Sequence, residues 1–202
     1  NKIVILKNDG TYLAQIGKAG GSSGRGPGEF GFYSISKIRG TTNNIYSVEC
    51  YDNFRVQIFN TSGVYQSQLG MTPGEFLEPR GVAIHPTNGN IYVCDYGNSR
   101  IEIFNSSGVY QSQIFMPYAE FFSILQPAYI SFDTEGKIYV LGDAEGEIAG
   151  YRLQIFDGSG NLLSSVELKD AEDNYILTKG LVILGNYIYI SGFSLTGESI
   201  QP

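Results

Sequence analysis

Apolar and polar residues alternate along this chain in short runs, each closed by a cluster of Gly, Asn, Asp, Ser or Pro. That is the pattern of β-strands joined by tight turns, and no window shows helical periodicity. The fullest instance is residues 74–114, GEFLEPRGVAIHPTNGNIYVCDYGNSRIEIFNSSGVYQSQI. Residues 81–84 (GVAI) form an apolar run and 85–90 (HPTNGN) a turn. Residues 91–95 (IYVCD) are β-branched and aromatic, as a strand requires. After a second turn, 100–104 (RIEIF) alternate polar and apolar. A third turn then leads to 109–114 (VYQSQI).

The rest of the chain repeats this unit. Residues 28–70 are a first copy, in which 63–69 (GVYQSQL) match 108–114 almost letter for letter. Residues 119–166 are a divergent third copy, with the connection after its second strand expanded to GDAEGEIAGY. Residues 1–17 align without gaps to 54–70 and read as third and fourth strands alone; residues 172–202 read as first and second strands alone. In the first copy, 45–50 take one residue more than 91–95, which predicts a bulge in the second strand and sets Cys50 opposite Asp95.

Four short antiparallel strands in roughly 40 residues is the unit of a β-propeller blade. The expectation is an all-β, single-domain propeller over 1–202, with three complete blades and two half blades. The first strand is the least polar and belongs at the centre; the fourth is the most polar and belongs at the rim, where polar side chains oppose edge-to-edge pairing. Two readings of the ends stand open. The half blades join to close a four-bladed ring, or the chain is a piece of a six-bladed ring.

The pattern GEF-x2-P-x-GVAI … IYV-x-D-x2-N-x-RI-x-IF resembles the NHL repeat, closely in 74–114, well in 28–70 and weakly in 119–202. The resemblance implies a rigid propeller whose loops bind partners. It also admits a metal-dependent lactonase or lyase type of enzyme, whose site is not evident in this chain.

Composition narrows the function. The net charge is −7 and the pI about 4.7. Nucleic acid is therefore disfavoured, because phosphate binding wants a basic footprint. No apolar run reaches the length of a membrane-spanning helix. The chain begins at Asn1 with no leader visible. Few charges with many Tyr, Ser, Asn and Gly suit an extracellular or cell-surface protein, with a soluble cytoplasmic one as the alternative. The predicted partner is a protein, a glycan or further copies of the chain.

Asp95, Asn98 and Arg100, with Asn53, Arg55 and Arg152 at equivalent places, are predicted to tie strands and blades together. Tyr51, Phe54, Tyr96, Tyr118 and Tyr151 fall in or beside connections that share one face of a propeller, and are the candidate partner-binding residues. Asp143, Glu145 and Glu147 place carboxylates at alternate positions, so calcium is the cation this insertion suits. They lack the spacing of a calcium loop, and a solvated acidic turn is the competing reading. No other cofactor is evident. Asn60 and Asn105 open N-x-S sequences at equivalent turns and are glycosylation candidates; plain Asn turn chemistry explains them as well. Cys50 and Cys94 are expected to be free and buried, and His85 to be exposed in its turn. With one His and two Cys, no catalytic zinc set or Ser-His-Asp triad suggests itself.

Overall fold

The computed structural model describes residues 2–17, 24–31, 35–51, 53–70, 75–117, 125–144 and 150–194. Three four-stranded antiparallel sheets run in sequence order. The first holds β3 (Ile35–Gly40), β4 (Asn44–Glu49), β5 (Arg55–Asn60) and β6 (Tyr65–Leu69). The second holds β7 (Pro79–Ile84), β8 (Ile91–Asp95), β9 (Arg100–Phe104) and β10 (Tyr110–Phe115). The third holds β11 (Leu125–Phe132), β12 (Ile138–Ala144), β13 (Gly150–Phe156) and β14 (Leu162–Glu167). Two hairpins flank them, β1 (Ile3–Leu6) with β2 (Tyr12–Ile16), and β15 (Ile176–Leu184) with β16 (Tyr187–Ser194).

The first strands β3, β7, β11 and β15 neighbour one another in that order, so they form the inner wall of the array. The fourth strands are outermost and their residues are mostly exposed. Both faces of a whole sheet are covered, which is why β8 is buried along its whole length although its side chains alternate in direction. Ile91 and Val93 face the first sheet and pack with Val48, Val56, Leu69 and Phe76. Tyr92 and Cys94 face the third sheet and pack with Leu125, Ile130, Ile138 and Val140. A smaller layer of Ile3, Ile16, Phe30 and Phe59 seats the β1–β2 hairpin on the first sheet. Phe30 and Phe76, the aromatic residues of the two GEF motifs, are 1% and 3% exposed, plugs under the connection that enters each sheet.

The hairpin turns recur in one form. Asn60 Oδ1 accepts the amides of Ser62 and Val64, and Asn105 Oδ1 those of Ser107 and Val109. Asp157 does the same for Ser159 and Asn161. The fourth residue of each turn is a glycine with φ near +82 to +86, a conformation that penalises any Cβ. Each of these glycines lies on the fourth strand of the preceding unit: Gly63 on Ile16, Gly108 on Leu69, Gly160 on Ile114. The same turn that reverses the chain thus keys one blade to the next.

Three expectations change. The two hairpins form separate sheets among the described residues, so they do not join into a fourth blade that closes a ring. The extra residue of the first copy is not a bulge in β4, whose pairing with β5 is unbroken; it lies in the 50–54 connection. The register therefore pairs Glu49 with Arg55 as Asp95 pairs with Arg100, and Glu49, not Cys50, is the counterpart of Asp95. His85 is half-buried, its ring 5.1 Å from that of Phe132 and 6.1 Å from that of Tyr92. Burial lowers its pKa. Cys50 and Cys94 are free and buried, and burial raises the Cys94 thiol.

Candidate functional site

Two polar arrangements sit where second strands turn into third strands. The first is a set of buried clamps. Arg55 Nε donates to Glu49 Oε1 at 2.9 Å, and its remaining nitrogens reach the carbonyls of Arg25, Gly26 and Glu29 and the Gln68 side chain. Gln57 and Asn53 also donate to Glu49, at 2.6 Å each. In the second sheet Asp95 accepts the Leu77 amide (2.7 Å), Asn98 Nδ2 (2.8 Å) and Arg100 Nε (2.8 Å), while Arg100 also donates to the Glu75 carbonyl. Each clamp grips the connection arriving from the sheet before it, so its effect is to fix how successive sheets meet.

The third sheet departs from this plan. Gly142 stands opposite Arg152, because any Cβ there would run into the Gln126 carbonyl. Arg152 turns outward to Glu167 (2.6 Å) and Ser165. The carboxylate appears one residue later, as Asp143, on the other face of β12.

Asp143 is the centre of the second arrangement. Tyr96, in the one-turn 3-10 segment after β8, donates its hydroxyl to Asp143 Oδ2 at 2.7 Å. The guanidinium carbon of Arg80 sits over the Tyr96 ring, 3.2 Å from its centre, and Arg80 Nη1 is 3.8 Å from Asp143 Oδ2. Tyr151 pairs with Asp143 across the β12–β13 ladder. Burial, then the Asp143 charge and hydrogen bond, raises the Tyr151 phenol well above its ordinary value. Burial first and Asp143 second push Tyr96 up to about 12. Both phenols are therefore neutral donors at any physiological pH. Asp143 Oδ1 is enclosed and has no hydrogen-bond partner among the described residues. The cluster offers aromatic faces, fixed donors and one incompletely satisfied carboxylate.

Of the aromatic candidates, the structure brings Tyr96 and Tyr151 together on Asp143. Tyr51 is exposed at the equivalent connection of the first sheet. Phe54 does not share that surface: it packs against the Val48 and Val56 cluster and carries a positive φ of 45°. Tyr118 lies outside the described residues, as do Glu145 and Glu147 of the acidic insertion. Among the described residues no three His, Cys, Asp or Glu side chains gather in a way that could hold a metal ion. The sequence reading missed Arg80. It sits at a bulge, the register slipping between Pro79 and Gly81, and a bulge re-aims its side chain. The only sequence signal is its place directly before the GVAI run.

Three four-stranded sheets, packed face to face with their first strands innermost, make this an all-β propeller assembly. The family model described as NHL repeat matches residues 76–104, which take in β7, β8 and β9 of the second sheet. Similar solved structures include Kuenenia stuttgartiensis hydrazine synthase, 11% identical with a TM-score of 0.54, covering 79% of this chain and 45% of that one. A Bacteroides fragilis protein proposed to be exported is 12% identical with a TM-score of 0.55, covering 95% and 54%. A chain of the nidogen/laminin complex is 15% identical with a TM-score of 0.50, covering 74% and 51%. At such identities the likeness is one of fold, and the chain spans about half the length of these structures. Comparison with curated proteins gives no match. No helix among the described residues is long and apolar enough to cross a membrane.

Proposed function

We propose that this chain is a non-enzymatic propeller module that binds a protein partner through the face carrying Tyr96, Asp143 and Tyr151. The observation that carries the reading is the convergence of two neutral phenols and Arg80 on one carboxylate. Tyr and Arg on rigid supports are the residues that most often anchor protein interfaces, since they give large contact area at small entropic cost. The cluster holds no activated nucleophile. Its tyrosines are pushed toward the protonated form, the reverse of what nucleophilic chemistry asks. The nidogen/laminin neighbour, a propeller fold in a protein complex, supports the same direction. An extracellular setting is part of the proposal. Asn60 and Asn105 stand on turns at the opposite ends of their sheets, where glycans would leave the binding face clear.

The test is capture of partners by the immobilised chain from its native source, followed by affinity measurement with the purified partner. Tyr151→Ala and Asp143→Ala are expected to weaken a protein partner by about tenfold or more each, the usual scale for interface anchors. A partner that proves to be a glycan, or a second copy of the chain, would replace the protein reading. Hydrolysis of a lactone or ester that disappears in Asp143→Ala would overturn the non-enzymatic one.

A further inference from the structure

The inner wall carries a second feature, which adjoins the binding face through Tyr129, whose phenol feels the charges of Asp143 and Arg80. A cavity of about 220 Å³ opens between the four first strands, lined by Lys37, Arg39, Gly81, Tyr129, Gly180 and neighbouring apolar residues. All four first strands have the same bulge, with the register slipping between Ile35 and Lys37, Pro79 and Gly81, Pro127 and Tyr129, and Thr178 and Gly180. Lys37, Gly81, Tyr129 and Gly180 are therefore equivalent positions around the axis. Two are filled by a cation and an aromatic ring, and two have no side chain. At the two glycines a Cβ would press on packed atoms, the Ala128 carbonyl at Gly81 and Ser191 Oγ at Gly180, each at 2.8 Å, so backbone alone lines the cavity there.

The chemistry of that space is one-sided. Lys37 Nζ stands 4.2 Å from the centre of the Tyr129 ring and has no ion pair among the described residues. Its pKa is lowered by burial, with no anion to offset the lost hydration. Arg39 lies two residues along β3, hence on the same face, and is exposed. Among the described residues no carboxylate lines the cavity itself; Asp143 lies beyond Tyr129, where it adds to burial in raising that phenol. The remaining wall is apolar, from Val82, Ile130 and Val182.

We propose that this cavity binds a small organic carboxylate with an apolar body, its carboxylate held by Lys37 and Arg39 and its body against Val82, Ile130 and Val182. The volume lies below the roughly 300–1,000 Å³ of drug-sized pockets, which selects a ligand of a few carbon atoms. The guanidinium of Arg39 can receive a carboxylate in bidentate fashion, and the half-buried ammonium of Lys37 regains a counter-charge.

Titration calorimetry of the full chain with hexanoate, hexanol and hexylammonium tests this. Hexanoate is expected to bind about tenfold or more tightly than hexanol, with hexylammonium weakest, because only the anion meets the two cations. Lys37→Met should remove about tenfold of the hexanoate affinity and leave hexanol binding unchanged. In the unsubstituted protein, amide NMR shifts on adding hexanoate should concentrate at Lys37, Gly81, Tyr129 and Gly180. Equal binding of hexanol and hexanoate, no binding of hexanoate, shifts centred elsewhere, or full affinity in Lys37→Met would each overturn the proposal.

Discussion

Glu102 offers a quantitative check on how the sheets are clamped. It lies on β9 between Arg100 and the core, 6% exposed, where the first and third sheets carry Gln57 and Gln154. It pairs with the guanidinium of Arg100, which also serves Asp95. Burial is the largest influence on its carboxyl; Arg100 opposes it, and Asp95 and Glu75 add to it, leaving the pKa at about 7 against an ordinary 4.5. The folded protein therefore holds the Glu102 proton more tightly than the unfolded chain. Stability from this group is complete below pH 4.5, falls as pH rises, and is gone above about 7. A shift from 4.5 to about 7 corresponds to about 3 kcal/mol. Glu102→Gln removes the titration and keeps the shape. In the first sheet Gln57 already fills this position, donating to Glu29 and Glu49 and accepting from Gly28. The variant should match the parent at pH 4 and exceed it by about 3 kcal/mol at pH 8, measured by urea unfolding at both values. Comparing variant with parent at each pH cancels the other titrating groups. A difference that is the same at the two pH values would refute the reasoning, as would a Glu102 carboxyl whose NMR titration midpoint falls near 4.5.

Other outcomes follow from the same geometry. Glu49→Gln leaves a buried Arg55 without its counter-charge and should cost about 3–5 kcal/mol, whereas Glu167→Gln, at a partly exposed pair with Arg152, should cost about 1 or less. Equal losses in urea unfolding would contradict the assignment of Glu49 as the counterpart of Asp95. Gly108→Ala forces a residue with a Cβ into φ +82° and onto Leu69 Cδ2 at 3.1 Å, so the unfolding midpoint should fall by the equivalent of about 1–2 kcal/mol; an unchanged midpoint would remove the keying role given to this turn. Burial lowers the His85 pKa, so its contribution is present above the ordinary value of 6.5 and lost as pH falls through the depressed one. His85→Phe should therefore gain stability relative to the parent on acidification from pH 7 to 5, and a constant difference by thermal unfolding would count against the half-buried placement.

Much of the blade was legible because its signals are local. The Asn- or Asp-x-x-Gly turns, the β-branched second strands and the alternating third strands each act within a few residues. The Phe of GEF and the Arg of the third strand announce themselves by recurring at one spacing. The alignment failed at Glu49. Sequence similarity placed the extra residue inside a strand, while backbone pairing with Arg55 placed it in the connection. A strand tolerates no unpaired residue without breaking its ladder, and a turn absorbs one freely.

The sequence alone determined the repeating unit, its four strands and the residues that would close its turns, since these depend on propensity, periodicity and local hydrogen bonding. Only the tertiary structure decided which side chains meet across sheets. Tyr96, Asp143 and Arg80 come from two different blades, and so do Lys37 and Tyr129. Their meeting depends on the bulge that turns each first strand and on the packing of one sheet against the next. Neither leaves a mark at short range along the chain.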